Sequence, residues 1–261
     1  MSLVCCVNIV LSDRQNVELF HLQFVRLLCS GPDKDRFAIK GGCNLRFFFE
    51  SVRYSEDIDF DVARLPVHTL KEKVTRILGS PALALPLRAR GIAVVEMSTP
   101  KQTETTQRWK VALSAEGRSL PLRTKIEFSR RGTTEDSRVE PVAASVLADY
   151  RLMPVLAPHY PLAAAIRQKI LALVGRSAVQ ARDAFDLGVL IAKVGGSAEA
   201  LRSVRAQIPK AIERCLDVSY DDFKAQVASY LIPDQIDALG SREAWNALQS
   251  QVVEFLEKAP R

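Results

Sequence analysis

Two aspartates two residues apart, Asp57 and Asp59, follow a glycine pair, Gly41 and Gly42, in the stretch IKGGCNLRFFFESVRYSEDIDFDV, residues 39–62. In an extended strand, residues two apart project from the same face. Like charges so placed repel unless a cation joins them. A hard cation that prefers oxygen ligands, Mg²⁺ or Mn²⁺, fits that need. The glycines let a backbone approach a phosphate closely, and the N–H groups of a helix starting there face the anion. A metal bridging triphosphate oxygens beside such a turn is the apparatus of phosphoryl or nucleotidyl transfer, in which positioning and charge neutralisation supply most of the catalysis. Neither half is specific alone. Asp-x-Asp is usually a polar strand edge, and Gly-Gly is usually a tight turn. The order strand, Gly-Gly, helix, Asp-x-Asp strand, with thirteen residues between Cys43 and Asp57, is far more selective.

Around this core, Arg46 sits on the helix after the turn, where it either reaches a phosphate or pairs with Glu50 four residues on. Ser55 either binds nucleotide or hydrogen-bonds the turn before Asp57. Glu56 is expected to point away from the Asp57/Asp59 face. His21, His68 and His159 are scattered and form no metal-binding spacing, so they are assigned no chemistry. The five cysteines, Cys5, Cys6, Cys29, Cys43 and Cys215, are odd in number and show no CxxC pair, which suits free thiols in a reducing compartment. The start, MSLVCCVNIVL, lacks the basic region and cleavage site of a signal peptide, and no apolar run is long enough to span a bilayer. A cytoplasmic protein with no membrane partner is expected.

These residues need elements to hold them. Ser12 with Gln15 reads as a capping box for a helix over 14–29, closed by Gly31. Residues 36–40 read as a strand, 43–52 as a helix opened by the Gly41-Gly42 turn, and 57–62 as a strand with Ile58, Phe60 and Val62 opposite the aspartates. A helix over 68–78 follows. Residues 91–98, 108–115 and 120–129 are β-branched and aromatic and read as strands, with polar connections at 99–106 and 115–119. From Pro161 the pattern is helical, over about 161–175, 178–194, 197–214, 219–230 and 241–258. The net charge is +6, and the excess is concentrated between Arg88 and Arg138, with eleven Lys/Arg against six Asp/Glu. That permits a nucleic-acid or nucleotide partner without requiring one. The expected architecture is α+β: a mixed-sheet domain over residues 1–158 and a helical C-terminal domain over 159–261 that completes the site.

The opening stretch resembles the signature of the AbiEii/AbiGii-type nucleotidyltransferase toxins, with Lys-Gly-Gly, Leu-Arg and Ser-Glu-Asp-Ile-Asp-Phe in order. The resemblance implies the polymerase-β-like nucleotidyltransferase fold and the toxin half of a bacterial toxin–antitoxin pair. It also implies transfer of NMP from an NTP, with Mg²⁺, to an RNA acceptor, the tRNA 3′ end. Nucleotidylation of a protein side chain, or a nucleotide-binding module without turnover that engages a partner, are the alternatives. Further motifs match down to about residue 190. Lys125 and Glu127 match a Lys-x-acid strand, which would make Glu127 a third metal carboxylate beside Asp57 and Asp59. Gln168 and Lys169 match a helical motif whose lysine reaches the triphosphate. Arg182, Asp183 and Asp186 match an Arg-Asp-x-x-Asp helix that anchors Lys169 or faces the nucleotide. By this reading Asp57, Asp59, Lys169 and Asp186 are catalytic. Gly41, Gly42, Cys43, Arg46, Ser55, Lys169 and Asp183 bind nucleotide. Cys43 stands where a serine or threonine is common, leaving its backbone N–H but no hydroxyl.

Overall fold

In the computed structural model, residues 11–132, 134–194 and 199–259 are described. Cys5, Cys6 and the apolar start lie outside them, as do the first residues of the helix expected over 197–214. Ser12 caps the first helix as its sequence predicts. Its side chain accepts from the Gln15 N–H, the Gln15 side chain accepts from the Ser12 N–H, and α1 runs Asp13–Leu28. The next elements are β1 (Phe37–Lys40), α2 (Gly41–Phe49), β2 (Ile58–Val62), α3 (Val67–Leu78) and α4 (Pro81–Arg88). Strands β3 (Ile92–Gln102), β4 (Thr106–Ala115), β5 (Leu122–Ser129) and β6 (Arg138–Pro141) follow, then α5 (Ala144–Tyr150) and β7 (Leu156–His159). The chain ends in α6 (Leu162–Gly175), α7 (Ala181–Val194), a 3₁₀ segment (Glu199–Gln207), α8 (Ile208–Leu216), α9 (Tyr220–Gln226), α10 (Pro233–Leu239) and α11 (Arg242–Glu257).

The sheet has seven strands in the order β3-β4-β5-β2-β1-β7-β6. It is mixed: β2 runs parallel to β5 and β1 parallel to β7, while the other pairs are antiparallel. One face is apolar. Phe37 and Ile39, Ile58, Phe60 and Val62, Trp109 and Val111, and Ile126 and Phe128 join Phe20, Phe24 and Leu28 of α1 in one buried cluster. Burying these side chains is the main favourable term in folding this half. The alternate residues of the same strands carry the charges, so one pleat gives both a core and a chemical face. A second buried cluster, with Trp245, Phe223 and Phe185, belongs to the C-terminal helices and takes in Leu45 of α2. Among the described residues no helix is long and apolar enough to cross a membrane.

Several elements differ from expectation. The 99–106 connection shrinks to 103–105, because β3 continues through Pro100. As β3 lies at the sheet edge, the missing proline N–H breaks no internal ladder. Gly41 and Gly42 are the first two residues of α2 rather than a turn before it. The expected boundary between residues 158 and 159 falls inside β7, which lies between β1 and β6.

Candidate active site

Cross-strand register sets the charged residues in rows. Lys40 on β1 lies opposite Asp59 on β2, Asp59 opposite Glu127 on β5, and Glu127 opposite Arg108 on β4. Asp59 and Glu127 are thus neighbours in space although 68 residues apart in sequence. Lys40 reaches along the face to Asp61, with Nζ 2.6 Å from Oδ1, and the Tyr160 hydroxyl donates to the other Asp61 oxygen at 2.6 Å. Asp57, just before β2, accepts from the Lys125 N–H at 3.0 Å and from Lys125 Nζ at 2.7 Å. Glu127 pairs with Arg108 at 2.6 Å. Asp59 differs: among the described residues it has neither a hydrogen bond nor an ion pair. Burial, together with the charges of Glu127 and Asp57, raises its pKa against the pull of Lys40. Burial also raises the pKa of Asp57, outweighing Lys125.

Both glycines are fitted to this face. Gly41 has a positive φ of 66°, and a Cβ there would lie 3.2 Å from Asp59 Oδ2. A Cβ on Gly42 would lie 2.6 Å from Ser55 Oγ. The first-turn N–H groups of α2, which have no helical partner, therefore open beside the carboxylates. Ser55 donates to the Asp57 carbonyl at 2.8 Å, so it braces the turn and also lines the cleft. The cleft has two adjoining chambers. One, of about 530 Å³, is lined by Gly41, Gly42, Ser55, Asp57, Asp59, Lys125, Glu127, Lys169 and Arg182. The other, of about 670 Å³, shares Lys40, Gly41, Asp59 and Lys169 and continues over Tyr160, Ala164 and Ala165.

Lys169 of α6 is held across the cleft from the glycines. Its Nζ is 3.1 Å from Asp183 and 2.6 Å from Asp186, both on α7. Arg176 takes the second Asp183 oxygen at 2.6 Å, and Arg53 grips Asp186 with Nε at 3.0 Å and Nη2 at 2.9 Å. Both aspartates are fully buried with every carboxylate oxygen engaged by a cation. Both aspartates thus take the anchoring role toward Lys169, and Asp183 also borders the larger chamber. Burial acts to raise the Asp186 pKa, but Arg53 and Lys169 outweigh it and the net shift is downward.

One expectation is corrected. Arg46 reaches neither a phosphate nor Glu50. It is buried in a two-pronged pair with Glu18 of α1, at 2.8 and 3.1 Å, and lines neither chamber of the cleft. The Cys43 side chain also turns inward, its Sγ 3.4 Å from the Asp57 carbonyl, and burial pushes its pKa well above the ordinary thiol value. Sequence reasoning passed over a group beneath the site: buried His21. It lies 2.7 Å from Thr124 Oγ1, which in turn donates to the Glu56 carbonyl at 2.8 Å. Burial lowers the His21 pKa to about 3, so the ring is neutral and props the Asp57 turn from behind. Arg53 was missed too, since nothing near it in sequence points to Asp186, 133 residues away. Among the described residues, no group of three or more His, Cys, Asp or Glu stands ready to hold a metal. The donor set on offer is the Asp57/Asp59 pair.

A family model described as "Nucleotidyl transferase AbiEii toxin, Type IV TA system" matches residues 25–261. No curated protein matches significantly. Among solved structures, a candidate nucleotidyltransferase from H. pylori superposes with a TM-score of 0.62 at 20% identity, covering 96% of this chain and 100% of that one. JHP933 from Helicobacter pylori gives 0.58 at 19%, covering 95% of each chain. MenT4, a nucleotidyltransferase toxin from Mycobacterium tuberculosis H37Rv, gives 0.61 at 19%, covering 97% of this chain and 88% of that one. At these identities the structural likeness speaks for the fold.

Proposed function

The chain belongs to the AbiEii family of nucleotidyltransferase toxins, and we propose that its cleft transfers NMP from an NTP, with Mg²⁺, to the 3′ end of an RNA, tRNA being the acceptor class. The observation that carries this reading is the abutment of the two motifs. The positive-φ glycine that opens α2 packs against Asp59, which has no hydrogen bond or ion pair among the described residues. A phosphate-binding helix start and an uncommitted carboxylate then share one corner of the cleft.

The donor chemistry suits the metal. Mg²⁺ in such sites takes one or two carboxylates, and substrate phosphates and water complete its shell. Asp57 and Asp59 would hold it, and Glu127 would join them on releasing Arg108. When bound, the metal lowers the pKa of an acceptor hydroxyl and neutralises the departing pyrophosphate. The chain's own groups do the rest. The Gly41, Gly42 and Cys43 N–H groups bind the triphosphate. Lys169, fixed by Asp183 and Asp186, adds a point charge opposite them. Ser55 and His21 keep the Asp57 turn in place. The acceptor oxygen bonds to the α-phosphorus as the bond to the β-phosphate bridge breaks, releasing pyrophosphate. A cognate antitoxin is the expected partner in the cell.

Purified wild-type protein and the Asp57→Ala/Asp59→Ala variant, incubated with Mg²⁺, each α-labelled NTP in turn, total RNA and cell protein, test this. Label in a tRNA band from the wild type alone is expected. Label in a protein band would keep the chemistry and change the acceptor. No label despite NTP binding would leave a binding module.

A further inference from the structure

A bare basic face leads from the edge of the sheet to Asp57. On β4 and β5, the residues alternating with the core carry the charge. Lys110 stands directly opposite Lys125, and Arg123 opposite Ala112. On the edge strand β3, Ser98 lies opposite Lys110 and Lys101 opposite Arg108. Helices α1, α3 and α4 pack the apolar side of these strands. The charged side is open, with Ser98, Lys110 and Arg123 exposed. A groove of about 210 Å³ runs along it past Glu96, Ser98, Lys110, Arg123 and Lys125 and ends at Glu56 and Asp57, which it shares with the cleft.

The charges there are unevenly matched. Lys125 is paired with Asp57 at 2.7 Å, Arg108 with Glu127 at 2.6 Å, and Arg123 only loosely with Glu96 at 3.9 Å. Lys101 and Lys110 have no ion pair among the described residues. Like charges directly opposite each other in a sheet are destabilising. Lysine on an edge strand guards against edge-to-edge pairing, which accounts for Lys101 but not for Lys110 and Arg123, on strands inside the sheet. With strands roughly 4.8 Å apart, Lys110 on β4 stands two strands, on the order of 10 Å, from β2, which carries Asp59 and follows directly on Asp57.

We propose that this face is the acceptor track. The phosphodiester backbone of a single-stranded RNA 3′ segment lies across β3, β4 and β5 on Lys101, Lys110 and Arg123, and presents its terminal hydroxyl to Asp57 and Asp59. The inference rests on the transferase reading above and adds the direction from which the acceptor arrives. The incoming triphosphate has its own chamber on the other side of the carboxylates, at Gly41, Gly42 and Lys169. The track carries one of these cations on each of three successive strands, with small Ser98 and Ala112 beside them and Glu96 its one acidic neighbour on β3. It suits an evenly charged backbone read without regard to base, and binding of that kind releases counterions.

The test measures binding of a labelled RNA hairpin with an unpaired 3′ end across a range of salt concentrations. Wild type, Lys110→Gln and the triple variant Lys101→Gln/Lys110→Gln/Arg123→Gln are compared, with NTP binding measured alongside. The slope of log affinity on log salt is expected to flatten by about 0.7 for each cation removed, with NTP affinity unchanged. An unaltered slope in the triple variant, with circular dichroism reporting a native fold, overturns the proposal. So does a wild type that binds NTP yet labels only protein. A wild type that binds no NTP brings down the transferase reading itself, and the track with it.

Discussion

At the residue scale, the two signature aspartates have different surroundings and should respond differently to substitution. Asp57 is tied to Lys125 through both a backbone and a side-chain contact. Asp59 has neither a hydrogen bond nor an ion pair among the described residues, and burial raises its pKa against the pull of Lys40. A carboxyl with a raised folded-state pKa is favoured in its protonated form by the fold. Its ionisation therefore costs stability as pH rises from the unfolded-state value through the folded one. Asp59→Asn is accordingly expected to raise the melting temperature of the metal-free protein at neutral pH while abolishing Mg²⁺-dependent transfer. Asp57→Asn, which strips Lys125 of its partner, should gain less. Thermal melts in chelator beside transfer assays read both, and an Asp59→Asn protein that melts below wild type would contradict the assignment. The signature residues were legible because their types and order carry the chemistry directly. The direction of Arg46 was not. Its partner Glu18 lies 28 residues away on another helix, and only the packing of α1 on α2 decides which side of α2 the guanidinium leaves.

At the element scale, the site depends on how closely the start of α2 approaches β2 and the turn before it. That closeness was only half legible. A glycine pair announces close approach, but not to what. The structure supplies the object: Asp59 for Gly41 and Ser55 for Gly42. Gly42→Ala would place a methyl 2.6 Å from Ser55 Oγ, displacing the hydroxyl that braces the Asp57 carbonyl. The expected outcome is a loss of NTP affinity of tenfold or so, about 1.4 kcal/mol, partly restored in Gly42→Ala/Ser55→Gly. Titration calorimetry on the three proteins decides it, and a single variant that binds NTP as wild type does would remove the bracing role. The elements that escaped sequence reading share a cause. Strand β6 is four exposed residues with no alternation, β7 contains Pro158, and α4 carries Pro86 in its interior. Pattern and propensity both argue against such elements, and pairing or packing with distant parts of the chain overrides them.

At the scale of the molecule, the chemistry is divided between two bodies of side chains. The carboxylates and glycines stand on the sheet, Lys169 stands on the C-terminal helices, and the two buried clusters meet at α2 through Leu45. Two other links hold the halves in register. Residues 52–54 pair with 230–232 through Tyr54 N–H to Tyr230 O and Ile232 N–H to Val52 O, both at 2.8 Å, and Arg53 grips the buried Asp186. Removing one partner of a buried ion pair strands the other charge and costs roughly 3–5 kcal/mol. The lowered pKa of Asp186 says that this link is intact at neutral pH and fails only as pH falls below the ordinary carboxylate range. The chain's two tryptophans report the halves separately: Trp109 lies in the sheet cluster and Trp245 in the helical one. Trp109 Nε1 is buried without a partner, so Trp109→Phe forfeits no hydrogen bond and leaves a usable Trp245 reporter. Trp245→Phe leaves the Trp109 reporter. In the wild-type background the two single-tryptophan proteins are expected to unfold in urea at one midpoint. With Asp186→Asn added, the Trp245 signal is expected to move to lower urea than the Trp109 signal, separating the helical part that follows β7 from the sheet. Should both signals shift together, the division after β7 is topological only, and the cleft is held by one cooperative core whose two faces cannot loosen independently.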